Sequence, residues 1–476
     1  MIIASRILVA VIAARTASAI TFTVPAAPPL DAAELDPAPV GISYEFFAYP
    51  SYRKNVSATL QCETNLKNLS GTWPAIRLGG TTQDRATYDP NSDAYVVYTV
   101  ADPTDAPANL TYGTAYMTLA ADYGGRVTLG LNRGRNNLSN TVLAAQFATE
   151  NMPNLFAIEL GNEPEYYPND GQPIADGGWN ASVDAQSQAN WQIWVGEAIG
   201  ETAVFEAGNS LMDPPEWGAA ELIEAQNETA LSFVKTFSHH DYPGGSVESL
   251  MSHVNVVDNV AKYETDIEAA REIGREYVFG ETNSATGGGA ADISPSFGAA
   301  LWVADYSLRA VSQNVSRLYF HHGTVGACQY CWWGRYDMGS PYYGAYFAAD
   351  ALAGGDSIAP IDVGNSSYSA YAVFDEVGSP IKVALYNSDY YDGDGTRGSE
   401  VFSLTGIQST SVTAKRLTAA SALSRVDRGQ NPTYAGMTFE NGTCLLQGTE
   451  AVETVSVEDG GASFTLAASE ALLVFL

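Results

Sequence analysis

The stretch IELGNEPEYY, Ile158 to Tyr167, joins a short apolar run to Gly-Asn-Glu-Pro. The run has the length of a β-strand and ends on an amide and a carboxylate, with proline directly behind them. A second stretch, EYVFGETNSATGGGA from Glu276 to Ala290, repeats the pattern: a strand-like run, then a glutamate, then glycines. Working outward, eight such runs appear: Gly41–Phe47, Ala75–Gly80, Val127–Leu131, Phe156–Leu160, Thr202–Ala207, Val234–His239, Tyr277–Gly280 and Leu318–His321. Between them lie segments such as TVLAAQFATEN, SQANWQIWVGEAIGE and DNVAKYETDIEAAREIG, whose apolar residues recur at three and four, the helical spacing. Apolar strands separated by helices indicate a parallel sheet covered on both sides. Eight units predict an α/β fold, a (β/α)8 TIM barrel over residues 31–350; six or seven would instead give an open doubly wound sheet.

Beyond Asp350 the texture changes. SAYAVFDEV, PIKVALYNS, EVFSLTG, SVTAKRLT and ASFTLAASEALLVFL alternate apolar and polar residues between turn formers. That pattern predicts a C-terminal antiparallel β-sandwich over 351–476. ITFTVPAAPPL, residues 20–30, is strand-like and is assigned to the same sandwich.

Charge narrows the function. The 476 residues carry 23 Lys+Arg against 54 Asp+Glu, a net charge of -31. Such a balance opposes binding to nucleic acid or to an anionic membrane. The N-terminus has one early cation, Arg6, an apolar run from Ile7 to Ala14, and Ala17-Ser18-Ala19. This predicts a cleaved secretory leader over 1–19, too short to anchor the chain in a bilayer. Nine Asn-X-Ser/Thr sequons, at Asn55, Asn68, Asn109, Asn137, Asn180, Asn227, Asn314, Asn365 and Asn441, agree with secretion. The four cysteines, Cys62, Cys328, Cys331 and Cys444, permit three full pairings as well as partial ones. Cys328-Gln-Tyr-Cys331 lacks a second half-site, which favours disulfides over zinc. The histidine pairs His239-His240 and His321-His322 lie on strands, where neighbours point to opposite faces, so neither pair makes a metal clamp.

Working residues of a (β/α)8 barrel sit at the C-terminal ends of its strands. Glu163 follows the fourth run and Glu281 the seventh, so the two carboxyls can face each other across the barrel mouth. Glycoside hydrolysis needs such a pair, one protonated and one ionised, and their separation decides the stereochemistry. Pro164 is expected to bias Glu163 towards extended backbone.

ELGNEP at Glu159–Pro164 resembles the acid/base motif of the large (β/α)8 clan of retaining glycosidases. GETNSATGGGA at Gly280–Ala290 resembles the nucleophile segment of glycoside hydrolase family 79, the β-glucuronidases and heparanase-like enzymes. SYEFFAY, RLGGTTQDR, SHHDY, YFHHGTVGACQY and the trailing β-domain extend the likeness in weaker form. The resemblance implies Glu163 as acid/base and Glu281 as nucleophile, with Asn162 on the sugar 2-hydroxyl and Arg77 as the cation beside Glu281. It further implies Gly287, Gly288 and Tyr330 on the glucuronate carboxylate, and Tyr242 on the nucleophile with His240 beside it. Asp241 stands where the family carries another aromatic residue, which leaves the register at Tyr242 open. Glu45 and Asp84 are expected to hold sugar hydroxyls deep in the pocket. The aromatic run CQYCWWGRYDMGSPYYGAY, Cys328 to Tyr346, fits either a sugar cleft or packing of barrel against sandwich.

The implied activity is a secreted retaining exo-β-glucuronidase, working as a monomer on a glucuronide-bearing oligosaccharide or polysaccharide, with or without a 4-O-methyl group. It needs no metal and no cofactor. An endo-acting heparanase-like glucuronidase and a catalytically silent carbohydrate-binding protein are the alternatives.

Overall fold

The computed structural model describes residues 19–476, so the leader expected over 1–19 falls, but for its last residue, outside the described residues. Eight strands form the barrel: β1 Val40–Glu45, β2 Ile76–Gly79, β3 Val127–Leu131, β4 Leu155–Leu160, β5 Phe205–Ser210, β6 Val234–Asp241, β7 Glu276–Thr282 and β8 Val315–His322. They close in sequence order, each parallel to the next, with β8 pairing β1. The fifth is displaced from the expected Thr202–Ala207. Ala203 has φ 50° and belongs to the turn that leaves the preceding helix, which delays extended backbone to Phe205.

Side chains alternate across each strand, as the pleat requires. On β6, Phe237 joins the apolar layer under the helices. Asp241 also points outward, accepting from Asn259, Tyr263 and Tyr306. His240, between them in parity, points into the barrel. The inside is largely polar at the catalytic end. Arg77, Glu159, Glu206 and Thr236 are all fully buried inside the barrel; Arg77 pairs with Glu159, while Glu206, which accepts from Thr236, is pushed by burial up to about 7.

The β-domain packs two sheets face to face around Phe22, Leu385, Phe402, Leu404, Phe464 and Leu472. Ile20–Thr23 pairs in parallel with Ser399–Thr405, so the N-terminal strand does join this domain. Ala33–Glu34 also belongs to it, pairing with Ser357–Ile358. The barrel therefore opens at Val40 rather than at residue 31. Disulfide Cys62–Cys444 ties the helix Ala58–Ser70 to the β-domain, and Cys328–Cys331 closes a local ring. At the same junction His253 is clamped between Asp305 (2.8 Å) and Asp362 (3.2 Å). The aromatic run resolves mostly into packing: Trp332, Trp333, Tyr342 and Tyr343 are fully buried, and Phe439 of the β-domain lies 4.6 Å from the Tyr342 ring. Among the described residues no helix is long and apolar enough to cross a membrane.

Candidate active site

The ends of β1, β2, β4, β6, β7 and β8 converge on one cluster. A carboxylate oxygen of Glu163, one of Glu281 and a ring nitrogen of His240 lie within 4.8 Å of one another. The two glutamates thus meet, although 118 residues separate them in the chain (281 − 163).

Each carboxyl is held differently. Arg77 runs across the barrel floor with its side chain fully buried. Its Nε and Nη2 donate to Glu159 at 2.5 and 2.6 Å, its Nη1 to Glu281 at 2.6 Å, and Nη2 again to the Asn162 oxygen at 2.8 Å. Tyr242 donates its hydroxyl to the other oxygen of Glu281 at 2.6 Å, which closes the register question beside Asp241. His321 stands 3.5 Å from Glu281 on one ring nitrogen and 3.5 Å from Glu45 on the other. Burial alone would raise the Glu281 carboxyl, but His321, Arg77 and His240, with the Tyr242 hydrogen bond, hold it well below the usual carboxylate range. Glu163 accepts no hydrogen bond from Arg77 or Tyr242. Burial, then the charge of Glu281, pushes its pKa up to about 8. His240 donates to or accepts from Glu163 at 3.0 Å, and burial lowers the imidazole to about 4, so the ring is neutral near pH 7. The result is one protonated and one bare carboxyl side by side.

Asn162 is oriented by the same arginine. Arginine can only donate, so the Asn162 oxygen faces it and the amide NH2 faces the cavity. The backbone of Glu163 departs from expectation. It is left-handed, φ 46° and ψ 63°, rather than extended. Two tethers override the bias of Pro164: the Glu163 N–H donates to the Asn209 carbonyl at 2.9 Å, and Pro164 opens a 3-10 turn. A non-glycine residue at positive φ costs on the order of 1–3 kcal/mol and persists only where its surroundings impose it.

Asp84 also departs from expectation. Its Oδ1 accepts from the N–H groups of Arg133 and Gly134 (2.8 and 2.7 Å), and its Oδ2 from the Asn162 N–H and the Tyr167 hydroxyl (2.7 and 2.9 Å). A carboxylate with four protein donors is not offering itself to sugar hydroxyls; it supports the loop that carries Asn162. Glu45 keeps one oxygen for Thr82, through both N–H and hydroxyl, and turns the other towards His321. Gly287, Gly288 and Gly289 adopt φ 64°, 85° and 96°. Among the described residues the N–H groups of Gly287 and Gly288 find no backbone acceptor, while that of Gly289 donates to Thr286. Tyr330 is buried with its ring 6.3 Å from Tyr242 and 6.2 Å from His321.

Sequence reasoning missed His321 and Ser43. His321 was visible only as one of an adjacent pair, and its position at the end of an apolar strand run was the available signal. Ser43 bridges Arg77 (3.0 Å) and His321 (3.0 Å). The three clustered atoms have the spacing of a cation site, but both oxygens of Glu281 are already engaged by Arg77 and Tyr242, and the fixed guanidinium charge opposes a metal there. A separate cavity of about 330 Å³ beside β5, lined by Asn180, Gln188 and Trp217, includes neither Glu163 nor Glu281.

Residues 370–473 match the family model described as the glycosyl hydrolase family 79 C-terminal beta domain. A β-glucuronidase of Aspergillus niger is 30% identical over 398 residues, covering 70% of this chain and 69% of that one. A β-glucuronidase of Neurospora crassa is 29% identical over 364 residues, covering 66% and 63%. Among solved structures, a 4-O-α-L-rhamnosyl-β-D-glucuronidase from Fusarium oxysporum, in complex with Rha-GlcA, superposes with TM-score 0.93 at 49% identity, covering 96% of this chain and all of that one.

Proposed function

The chain belongs to glycoside hydrolase family 79, and from that premise we propose that it is a secreted, retaining exo-β-glucuronidase. Its substrate would be a terminal glucuronic acid, bare or 4-O-substituted, on a plant or fungal glycan. One observation carries the reading: two adjoining carboxyls in opposite protonation states, with oxygens within 4.8 Å. Oxygens this close support retention, for which the carboxyl groups stand about 5–5.5 Å apart, over inversion, for which they stand roughly 6.5–9.5 Å apart.

Glu281, ionised between Arg77 and Tyr242, attacks the anomeric carbon while Glu163 gives its proton to the leaving oxygen. Ester formation removes the Glu281 charge, which after burial is the largest cause raising the Glu163 pKa. Glu163 therefore becomes the stronger acid when it must hold no proton, and serves as base for water in the second step. In this reading the Asn162 amide, its oxygen held by Arg77, donates to the 2-hydroxyl, a bond that strengthens as charge develops on the ring. The free amides of Gly287 and Gly288, with Tyr330, suit the sugar carboxylate. They explain how a chain of charge -31 could take an acidic sugar: repulsion at long range is screened beyond about 8 Å, whereas the donors act in contact. The likeness to an enzyme on Rha-GlcA supports room at O4. The leader pattern and the sequons support secretion, and we take the working form to be the monomer.

The test is hydrolysis of aryl β-glucuronide beside the glucoside, xyloside and galactoside, with Glu281→Ala as control. The glucuronide should react with wild type alone, and the first anomer released should be β. An α product released first, or equal rates on the neutral glycosides, would refute the proposal. Product sizes from a short glucuronide-tipped oligosaccharide separate exo from endo action.

A further inference from the structure

The Cys328-Gln-Tyr-Cys331 ring has no part in the reaction as described, yet it touches every element that would hold the sugar carboxylate. Tyr330 lies inside the ring and is 2% exposed. The Gln329 N–H donates to the Gly288 carbonyl at 2.7 Å. A Cβ added at Gly288 would stand 3.0 Å from the Ala327 carbonyl. One added at Gly289 would stand 2.9 Å from the Tyr330 ring and 3.0 Å from the Gln329 side chain. The glycine loop is thus pressed against the disulfide ring at distances that exclude larger residues. From the other side, the Tyr52 hydroxyl reaches the Cys331 sulfur at 3.3 Å and the Gly323 carbonyl at 3.0 Å.

Three successive glycines at positive φ carry little conformational preference of their own. Their shape has to be imposed by a neighbour, and the ring is the neighbour in contact. We infer that the Cys328–Cys331 disulfide is a positioning and specificity device for the acidic sugar: it fixes Tyr330 and, through Gln329, the Gly287–Gly289 amides in the arrangement that receives a uronate carboxylate. The inference rests on the glucuronidase reading above. Glu163, Glu281 and Arg77 are seated by the barrel strands, and Tyr330 reaches Glu281 only through Tyr242 and His321, so opening the ring weakens the grip on the carboxylate far more than it slows the chemical step.

Cys328 is partly exposed whereas Cys62 and Cys444 are fully buried, so dithiothreitol under native conditions opens the small ring first. The reagent becomes its cyclic disulfide as Cys328 and Cys331 each gain a thiol, which alkylation and peptide mass mapping verify. KM for an aryl β-glucuronide and the inhibition constant of free glucuronate should both rise about 10- to 100-fold, the loss of one charge-assisted contact. The expected kcat changes by less than about threefold, the signature of lost uniform binding. Reoxidation restores both constants, and the Cys328→Ser/Cys331→Ser double variant behaves as the reduced protein. A fall in kcat at constant KM, or no change with the ring verified open, overturns the inference while leaving the glucuronidase reading intact. Oxidised protein that hydrolyses no glucuronide overturns that reading, and the inference with it. Native reduction decides the matter even where the double variant does not fold.

Discussion

Asp84→Asn is the substitution that best tests how the site is built. The change is isosteric, but it converts one carboxylate oxygen into an NH2. Each oxygen of Asp84 faces two donors, so whichever side the amide takes, a donor meets two donors. Two hydrogen bonds to a charged acceptor are lost, worth about 1.5–3 kcal/mol each, in a site where Asp84 is 2% exposed. The expected destabilisation is therefore about 3–6 kcal/mol. A chain of this length has an unfolding entropy near 1 kcal/mol/K, so the thermal midpoint should fall by roughly 3–6 °C. The damage reaches catalysis through the Asn162 N–H, which Asp84 anchors directly before Glu163. A displacement of about 1 Å there costs on the order of 100-fold in kcat. Differential scanning calorimetry and steady-state kinetics on an aryl β-glucuronide read the two effects. An unchanged midpoint with a raised KM would mean that Asp84 binds sugar after all, and the structural account of it would fall.

Three further outcomes follow from the same geometry. The alkaline limb of kcat/KM should have its midpoint near 8, the value to which burial and Glu281 push Glu163; activity is lost above it because the acid has lost its proton, and Glu163→Gln should abolish the limb. Tyr242→Phe removes the 2.6 Å bond to Glu281 and should lower kcat/KM by about 10- to 100-fold. Because that bond favours the ionised form, its loss also moves the acid limb to higher pH; an unmoved limb would show that the hydroxyl does not support the charge. Burial lowers His253, but Asp305 and Asp362 outweigh it and raise the imidazole to about 10. A raised folded-state pKa contributes stability that is complete below the unfolded value of 6.5 and is lost as pH rises through about 10. Urea unfolding of wild type and His253→Gln should differ at neutral pH and converge above that range; a constant gap would exclude the linkage.

Much of the architecture was readable because it is written locally. A buried strand and an amphipathic helix each declare themselves within a few residues, and eight alternations leave few other closed arrangements. That Glu163 and Glu281 could face each other was readable for the same reason, since strand ends in a closed barrel converge; their roles came only from the family resemblance. The fifth strand slipped because the turn at Ala203 depends on backbone geometry that composition does not mark. Ala33–Glu34 was misassigned because two residues are too few to show any period.

The roles of individual polar groups were beyond local reading. Glu45 and Asp84 are both acidic residues near strand ends, yet one turns an oxygen towards His321 while the other is saturated by four donors. The difference lies in Arg133, Gly134, Asn162 and Tyr167, which only the folded chain brings to Asp84. His321 becomes a site residue through Glu45 and Glu281, and Glu163 adopts left-handed backbone because of the Asn209 carbonyl. The sequence alone determined that eight strands alternate with helices and which residue types stand near their ends, because strand and helix periods are properties of neighbouring residues. Only the tertiary structure decided which carboxyl keeps its proton, because that depends on burial and on charges delivered by distant strands, as Arg77 is delivered to Glu281 across 204 residues.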